Sequence, residues 1–158
     1  MYRVKRQPNP EENYKLMAYM TKRILEDESD SIAVLANISA VIWGYLDRIN
    51  WCGFYLLKDN QLVLGPFQGL PACMRIEIGK GVCGTTVVEK KTIVVPDVHD
   101  FPGHIACDSA SKSEIVIPIF SNKNVAAVLD VDSPELNRFC ELETKYLEEV
   151  AQLLENRL

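Results

Sequence analysis

Residues 114–132, EIVIPIFSNKNVAAVLDVD, contain two apolar segments separated by a short polar turn. The segments 114–120 and 125–131 are rich in β-branched residues, which favour strands. The residues Ser-Asn-Lys-Asn at 121–124 are of the types that form turns. The stretch therefore predicts an antiparallel hairpin, and its register decides which side chains the two strands place together.

Acidic side chains occur inside this apolar hairpin, where carboxylates are rarely buried without a partner. Asp130 and Asp132 share one face of their strand, and Glu114 shares a face with Val116. A plain two-residue turn would put Glu114 and Asp132 on opposite faces, whereas a three-residue loop or a bulge would put them on one face. We predict the second register and a pocket lined by carboxylates. Exposure of these side chains at the strand ends is the alternative.

The remaining sequence predicts helices at both ends of the chain and further strands between them. Together with the hairpin they indicate an α+β fold, with a central antiparallel sheet flanked by N-terminal and C-terminal helices. A long polar loop over 96–112 interrupts the regular elements, and loops of this length in compact domains are often functional. The expected helices lie at 11–26, at 31–47, from a glycine-rich start at 79–84 to about 90, and after Pro134. The expected strands lie at 50–58, 61–64, 75–78 and 92–95.

The strand at 50–58 carries Trp51 and Tyr55 on one face and Cys52 on the other. The two aromatic side chains could form a wall of the carboxylate pocket, although an aromatic residue in a strand more often belongs to the core. Both interpretations stay open at this point. We interpret Cys52, and Cys140 in the last predicted helix, as structural, because a buried cysteine behaves as a small hydrophobic residue.

Composition and charge limit the classes of function. The chain has 158 residues, of which 47% are hydrophobic, as expected for one globular domain over 1–158 with a polar leader at about 1–10. The net charge of −5 and the absence of a basic run argue against a nucleic-acid partner. Apolar runs are too short to span a membrane, and the N-terminal residues do not resemble a signal peptide. We therefore expect a cytoplasmic protein.

Three of the five cysteines, Cys73, Cys83 and Cys107, lie close together in sequence. Intracellular disulfides are usually transient and catalytic, so this grouping favours thiol redox chemistry, with the cysteines placed on loops. A zinc site made of these cysteines and His99 or His104 is a weaker alternative, because the spacing matches no usual ligand pattern. His104 could also lower the pKa of a nearby thiol, against the simpler interpretation of a solvated loop residue.

A series of consecutive motifs resembles the free methionine-(R)-sulfoxide reductases, which are GAF-domain enzymes. The resemblance runs from about residue 49 to 133, with compatible helices outside it. The motifs agree in order and in spacing, which is far more specific than any one of them. They are INWCGFYLL at 49–57, LVLGPFQG at 62–69, LPACMRI at 70–76, GKGVCGT at 79–85, VPDV at 95–98, FPGHIACD at 101–108, SKSEIVIPI at 111–119 and VLDVDS at 128–133.

The resemblance implies a GAF fold and reduction of the R epimer of free L-methionine sulfoxide, with thioredoxin as reductant and with neither a cofactor nor a metal. It implies that Cys107 is the catalytic cysteine, Cys73 the main resolving cysteine and Cys83 an alternative recycling cysteine. The oligomeric state is not fixed by the sequence, and a homodimer is one candidate. By the same resemblance, the substrate pocket consists of Trp51, Tyr55, Glu114, Asp130 and Asp132.

A mechanism follows from these positions. The Cys107 thiolate would attack the sulfoxide sulfur, while Glu114 or Asp132 holds the proton for its oxygen, because crowded carboxylates cannot all ionise. Asp130 would bind the substrate ammonium, the helix start at 81–84 its carboxylate, and Trp51 would enclose the S-methyl group. A GAF sensor that binds a ligand without chemistry, or a metal-binding regulatory domain, is the rival interpretation.

Overall fold

A six-stranded antiparallel sheet forms the centre of the molecule. The structure is a computed structural model that describes residues 3–105 and 108–158. The strand order is β3-β2-β1-β6-β5-β4, so the predicted hairpin β5–β6 lies next to β1. The strands are β1 Trp51–Lys58, β2 Gln61–Gly69, β3 Arg75–Glu77, β4 Ile93–Val95, β5 Ser113–Ser121 and β6 Asn124–Ser133.

Helices cover the sheet, which confirms the predicted α+β class. The helices are α1 Pro10–Asp27, α2 Ser31–Tyr45, α3 Gly81–Glu89 and α4 Glu141–Leu153, with a 3-10 turn at Val98–Asp100 inside the long loop. Side chains of Asn9 and Asp30 accept hydrogen bonds from the first turns of α1 and α2, which fixes both helix starts. In the described part of the chain, no helix has the length and apolar character needed to cross a bilayer.

The two faces of the sheet belong to two separate hydrophobic clusters. Cys52, Phe54 and Leu129 point into the larger cluster, beneath α1, α2 and α4. Trp51 and Tyr55 point to the opposite face, into a smaller cluster that includes residues of α3 and β4. The predicted alternation of faces along β1 and β6 is therefore confirmed, as is the structural assignment of Cys52, which is fully buried.

The register of the β5–β6 hairpin depends on one extra residue. Asn122 and Lys123 form a two-residue turn with positive φ angles, and Ser121 pairs with Asn124. The pairing then shifts between Ile119 and Phe120, because Ala126 is bulged out of the ladder. As a result Glu114 lies directly opposite Asp132. The predicted bulge register is confirmed.

Two elements differ from the sequence prediction. Strand β2 extends to Gly69, five residues beyond the predicted end at 64, because pairing with β1 continues past Pro66. The last helix begins only at Glu141, so Cys140 lies just before it, and its interpretation as a buried cysteine within the helix was wrong. Cys140 is exposed and serves as the N-cap, with its thiol donating to Glu143 Oε2 at 2.7 Å.

A buried arginine ties the end of the sheet to the helices. The Arg138 side chain is fully buried and donates to Glu143 Oε1 at 2.8 Å, to Asp47 Oδ1 at 2.8 Å and to the Tyr14 hydroxyl at 3.3 Å. Burial opposes ionisation of Glu143, but hydrogen bonds from Cys140, Tyr14 and Arg138 outweigh it and lower the pKa of Glu143 to about 2. This network joins α1, α4 and the segment before β1.

We expect Arg138→Ala to destabilise the fold by about 3–5 kcal/mol, because it leaves the Glu143 carboxylate buried without its cation. Arg23→Ala is the matched control, since Arg23 forms an exposed ion pair with Glu26 and should cost less than about 1 kcal/mol. Urea unfolding followed by tryptophan fluorescence measures both changes. Equal midpoints for the two variants would show that the network does not stabilise the fold.

Candidate active site

A polar pocket opens on the sheet face opposite to α1, α2 and α4. The sheet supplies its floor, the start of α3 one wall, and the long loop the other. Several acidic groups and one thiol converge there. The lining residues are Ile76, Lys80, Gly81, Val82, Cys83, His104, Ile105, Asp108, Ser111, Glu114, Asp130 and Asp132.

The three predicted carboxylates meet in this pocket. Glu114 lies opposite Asp132 in the β5–β6 ladder, and Asp130 lies opposite Val116, so all three point to one face. Glu114 and Asp130 are each only 6% exposed, and Asp132 is partly buried. This arrangement excludes the alternative of side chains exposed at strand ends.

Burial controls the protonation of the cluster. Burial and the neighbouring Asp132 charge raise the pKa of Glu114 well above its usual range. Burial and the Glu114 charge do the same to the pKa of Asp130, and burial with the charges of Asp130 and Asp108 raises that of Asp132. Crowded carboxylates out of water therefore retain protons at a pH where a solvated carboxyl is ionised. Such a group can donate a hydrogen bond or a proton to a ligand.

Cys83 lies among these carboxylates. It occupies the first turn of α3, which agrees with the helix start predicted at 79–84, and is 3% exposed. Its Sγ donates to Asp130 Oδ2 at 3.4 Å. Burial, followed by the charges of Asp130 and Glu114, raises the pKa of the Cys83 thiol well above its usual range. In the arrangement described, Cys83 is a protonated thiol and a poor nucleophile.

The N-terminus of α3 faces the pocket, as the sequence predicted for 81–84. Lys80 is the N-cap residue and makes no side-chain capping bond to the first turn. Gly81 has a φ of +59°, and a Cβ there would lie 3.2 Å from the Ile105 side chain, so the close approach of loop and helix requires glycine. Free N–H groups at a helix start attract anions.

The two histidines occupy different environments. His104 is 15% exposed at its side chain, and its Nε2 lies 3.5 Å from Glu114 Oε2. Burial lowers the pKa of His104, which favours the neutral imidazole. His99 is exposed, pairs with Asp97 at 2.7 Å and does not line the pocket. His104 is thus part of the candidate site, whereas His99 is not.

A hydrogen-bond network that the sequence did not indicate holds the long loop against β1. Asn50 Nδ2 donates to Asp108 Oδ2 at 2.9 Å and to Ser111 Oγ at 3.0 Å, and Ser111 also bonds Asp132. Asn50 directly precedes β1, at the start of the predicted strand 50–58, and alternation along a strand does not specify its contacts with the distant loop. The network fixes the residues that follow Cys107 in the chain.

The predicted aromatic residues lie beside the pocket rather than in its lining. Trp51 and Tyr55 are both buried, and their ring centroids are 5.9 Å apart. Trp51 Nε1 donates to the Leu70 carbonyl at 3.1 Å, and the Tyr55 hydroxyl donates to the Cys73 carbonyl at 2.9 Å. Both side chains therefore anchor the segment that carries Cys73. Their contact with substrate stays a prediction.

The four cysteines that the structure describes comprise one in a disulfide and three free thiols. Cys73 is disulfide-bonded. Cys52, Cys83 and Cys140 are free thiols. The predicted catalytic residue Cys107 lies outside the described residues, so its role stays a prediction.

Comparisons with known proteins agree with this arrangement. The GAF domain family model matches residues 25–158. A protein of Escherichia coli named free methionine-R-sulfoxide reductase is 47% identical over 135 residues, which is 85% of this chain and 82% of that protein. The reduced form of fRMsr of Staphylococcus aureus superimposes with a TM-score of 0.89 at 53% identity, covering 92% of this chain and 95% of that one.

A third relative was solved with its ligand. The X-ray structure of free methionine-R-sulfoxide reductase from Neisseria meningitidis in complex with its substrate has a TM-score of 0.95 at 41% identity. The match covers 99% of this chain and 95% of that one. Fold, sequence and the extent of each match agree. The chain therefore belongs to the GAF-domain family and, within it, to the free methionine-(R)-sulfoxide reductases.

Proposed function

We propose that this protein reduces the R epimer of free L-methionine sulfoxide to L-methionine, with Cys107 as the nucleophile and thioredoxin as the reductant. The buried cluster of Glu114, Asp130 and Asp132 is the observation that carries the proposal, because it offers both a proton donor and a partner for an ammonium group. The relatives named above support the substrate class. The chain acts as one domain, and the reductant implies a cytoplasmic location.

Recognition of the free amino acid follows from the charges at the pocket. Asp130 Oδ1 is buried and, apart from a proton shared with the Glu114 carboxyl, meets no donor among the described residues, so an ammonium group can take the place of that proton. The N-terminus of α3, from Gly81 to Cys83, suits the substrate carboxylate. A peptide bond on either side of the methionine would remove these charges and leave both protein groups unpaired.

Reduction of the sulfoxide requires one proton and one nucleophile. The Cys107 thiolate attacks the sulfoxide sulfur while Glu114 or Asp132 donates a proton to the oxygen. The oxygen passes to Cys107, which becomes a sulfenic acid, and the sulfur–oxygen bond breaks to release methionine. The cysteine is oxidised by two electrons and the substrate is reduced by two. Trp51 would enclose the S-methyl group.

Recycling requires a second thiol, for which Cys73 is the main candidate. Attack of the Cys73 thiolate on the sulfenic acid forms a disulfide and releases water, and a dithiol then exchanges it away. The disulfide at Cys73 and the free thiol at Cys83 support Cys73 as the main resolving cysteine. Cys83 is the alternative, but its buried and raised-pKa thiol makes it the slower one.

The decisive experiment is NADPH oxidation with thioredoxin and thioredoxin reductase on the separated epimers of free methionine sulfoxide. We expect turnover with the R epimer, and a rate on the S epimer or on the N-acetyl amide lower by a factor on the order of 10⁴. Cys107→Ser should abolish turnover, whereas Cys140→Ser, which changes an exposed thiol, should not. Comparable activity on the free and blocked substrates, or an active Cys107→Ser variant, would contradict the proposal.

We expect Cys73→Ser to release about one methionine per enzyme in a single turnover and then to recycle poorly with thioredoxin, because the sulfenic acid forms without its resolving partner. Rapid quench with product analysis measures the burst and the later rate. Cys52→Ser is the matched control, since Cys52 is a free buried thiol in the other cluster. Normal steady-state rates after replacing both Cys73 and Cys83 would rule out both as resolving groups.

We expect at least one of Glu114→Gln and Asp132→Asn to slow single-turnover methionine formation by a factor of about 10² or more, the usual size of a general-acid contribution. Glu89→Gln, at an exposed ion pair with Lys91, controls for general effects of losing a carboxylate. If both pocket variants keep the wild-type single-turnover rate, the proton donor must be another group, and His104 is the nearest candidate.

The single-turnover rate should follow a bell-shaped pH profile. At low pH it should fall as the Cys107 thiolate is lost, and at high pH as the acid in the cluster ionises. Because the pKa of Glu114 and of Asp132 is raised, the high-pH limb should lie well above the range of solvated carboxyl groups. The apparent pKa values of the two limbs belong to the cluster of interacting groups and not to single residues. A rate that stays flat above neutral pH would exclude a carboxyl acid.

A further inference from the structure

We propose that the pocket also binds a divalent zinc ion through Cys83, Asp130 and Glu114, with the fourth position open to water. The site shares its residues with the proposed substrate pocket, so its inhibitory consequence rests on the proposed function, while the binding itself does not. The donor groups come from α3, β5 and β6, three elements that the fold holds in fixed positions.

The distances between donor atoms fit one ion. Cys83 Sγ and one carboxylate oxygen each of Glu114 and Asp130 all lie within 4.8 Å of one another. Cys83 Sγ is 3.4 Å from Asp130 Oδ2. Two ligands of a tetrahedral zinc ion, with bonds of about 2.0–2.3 Å, are separated by roughly 3.3–3.6 Å. Cys83 and Asp130 thus already stand at the separation that zinc requires.

A second observation points to a place for a cation. Asp130 is 6% exposed, and apart from a proton shared with the Glu114 carboxyl, which a cation can replace, its buried Oδ1 meets no donor among the described residues. Buried carboxylate oxygens are normally satisfied by donors or by a metal. The titratable groups that line the pocket are mostly acidic, and the one ammonium group among them belongs to Lys80, which is exposed. These groups are Lys80, Cys83, His104, Asp108, Glu114, Asp130 and Asp132.

The donor set selects the type of ion. Three carboxylates alone would suit magnesium or calcium, which bind oxygen ligands. A thiolate adds a soft ligand, and a thiolate with carboxylates is a set that zinc accepts. Binding displaces the thiol proton and the protons that the two carboxyl groups retain, and these leave to solvent.

Occupation by zinc would block the proposed substrate site. The ion would take Asp130, which the proposal assigns to the substrate ammonium, and Glu114, a candidate acid. Zinc and methionine sulfoxide could therefore not bind together. Inhibition should raise the KM for the sulfoxide without changing kcat at saturating substrate.

The binding experiment uses the oxidised full-length protein, in which Cys73 is held in its disulfide and cannot compete as a ligand. Zinc is titrated against a chromophoric chelator, and Co²⁺ is added separately to detect a thiolate charge-transfer band. We expect one zinc per chain for the wild type. Cys83→Ser should bind at least about tenfold more weakly and should lose the Co²⁺ band.

Two further variants distinguish loss of the zinc site from a defect in folding. Asp130→Asn retains the shape of the site and should also weaken zinc binding by at least about tenfold, so a fold defect of Cys83→Ser alone cannot explain the result. Cys140→Ser removes an exposed thiol outside the pocket and should bind zinc as the wild type does. Unchanged affinity in both pocket variants, or loss of binding in Cys140→Ser, would overturn the site.

Activity assays separate this inference from the proposed function. Zinc that binds through Cys83 but leaves the KM for methionine sulfoxide unchanged would overturn the competitive consequence. If the chain fails to reduce methionine sulfoxide at all, the zinc titration still tests the site, because it needs no turnover. Restoration of the KM by a chelator such as EDTA would support reversible occupation of the pocket.

Discussion

Three carboxyl groups and a thiol share one buried space, and their mutual repulsion out of water is the constraint on which the site depends. Ionised groups cannot be buried together without large cost, so the cluster must hold protons or take up a positive charge from a ligand. Burial first, and the neighbouring carboxyl charges second, raise the pKa values of Glu114, Asp130 and Asp132. The same constraint makes the pocket receptive to an ammonium group, to a sulfoxide oxygen that accepts a proton, and to a divalent cation.

The fold remains stable with this buried polar cluster because the two faces of its sheet differ in composition. The face beneath α1, α2 and α4 holds the larger cluster of buried apolar side chains and supplies most of the hydrophobic stabilisation. The other face has a smaller cluster and admits polar groups at its edge. Successive side chains along β1 and β6 therefore point alternately into the larger hydrophobic cluster and toward the site. Arg138, on the segment leading into α4, anchors the arrangement at a distance from the pocket.

Local patterns in the sequence predicted much of this structure. Alternation along strands placed Trp51, Tyr55, Asp130 and Asp132 on the correct face, and helical spacing located α1 and α2 closely. Such local patterns could not predict contacts between segments that are distant in sequence. The bonds of Asn50 to the long loop join residues about sixty positions apart, and neither periodicity nor turn chemistry specifies them. The capping role of Cys140 was missed because Phe139, Leu142 and Tyr146 follow helical spacing, which extended the predicted helix back toward Pro134.

The bulge at Ala126 limits how the hairpin can change length during evolution. Loss of one residue between Glu114 and Asp130 would reverse the odd–even relation between the strands, so that the two aspartates would turn toward the helical core and Leu129 and Val131 toward the pocket. Changes of two residues would preserve that relation. Relatives that keep the carboxylate cluster should therefore vary the length of this hairpin in even steps, or compensate an odd step by gaining or losing a bulge. The outer turn at Asn122 and Lys123 is the place where such paired changes could be accommodated.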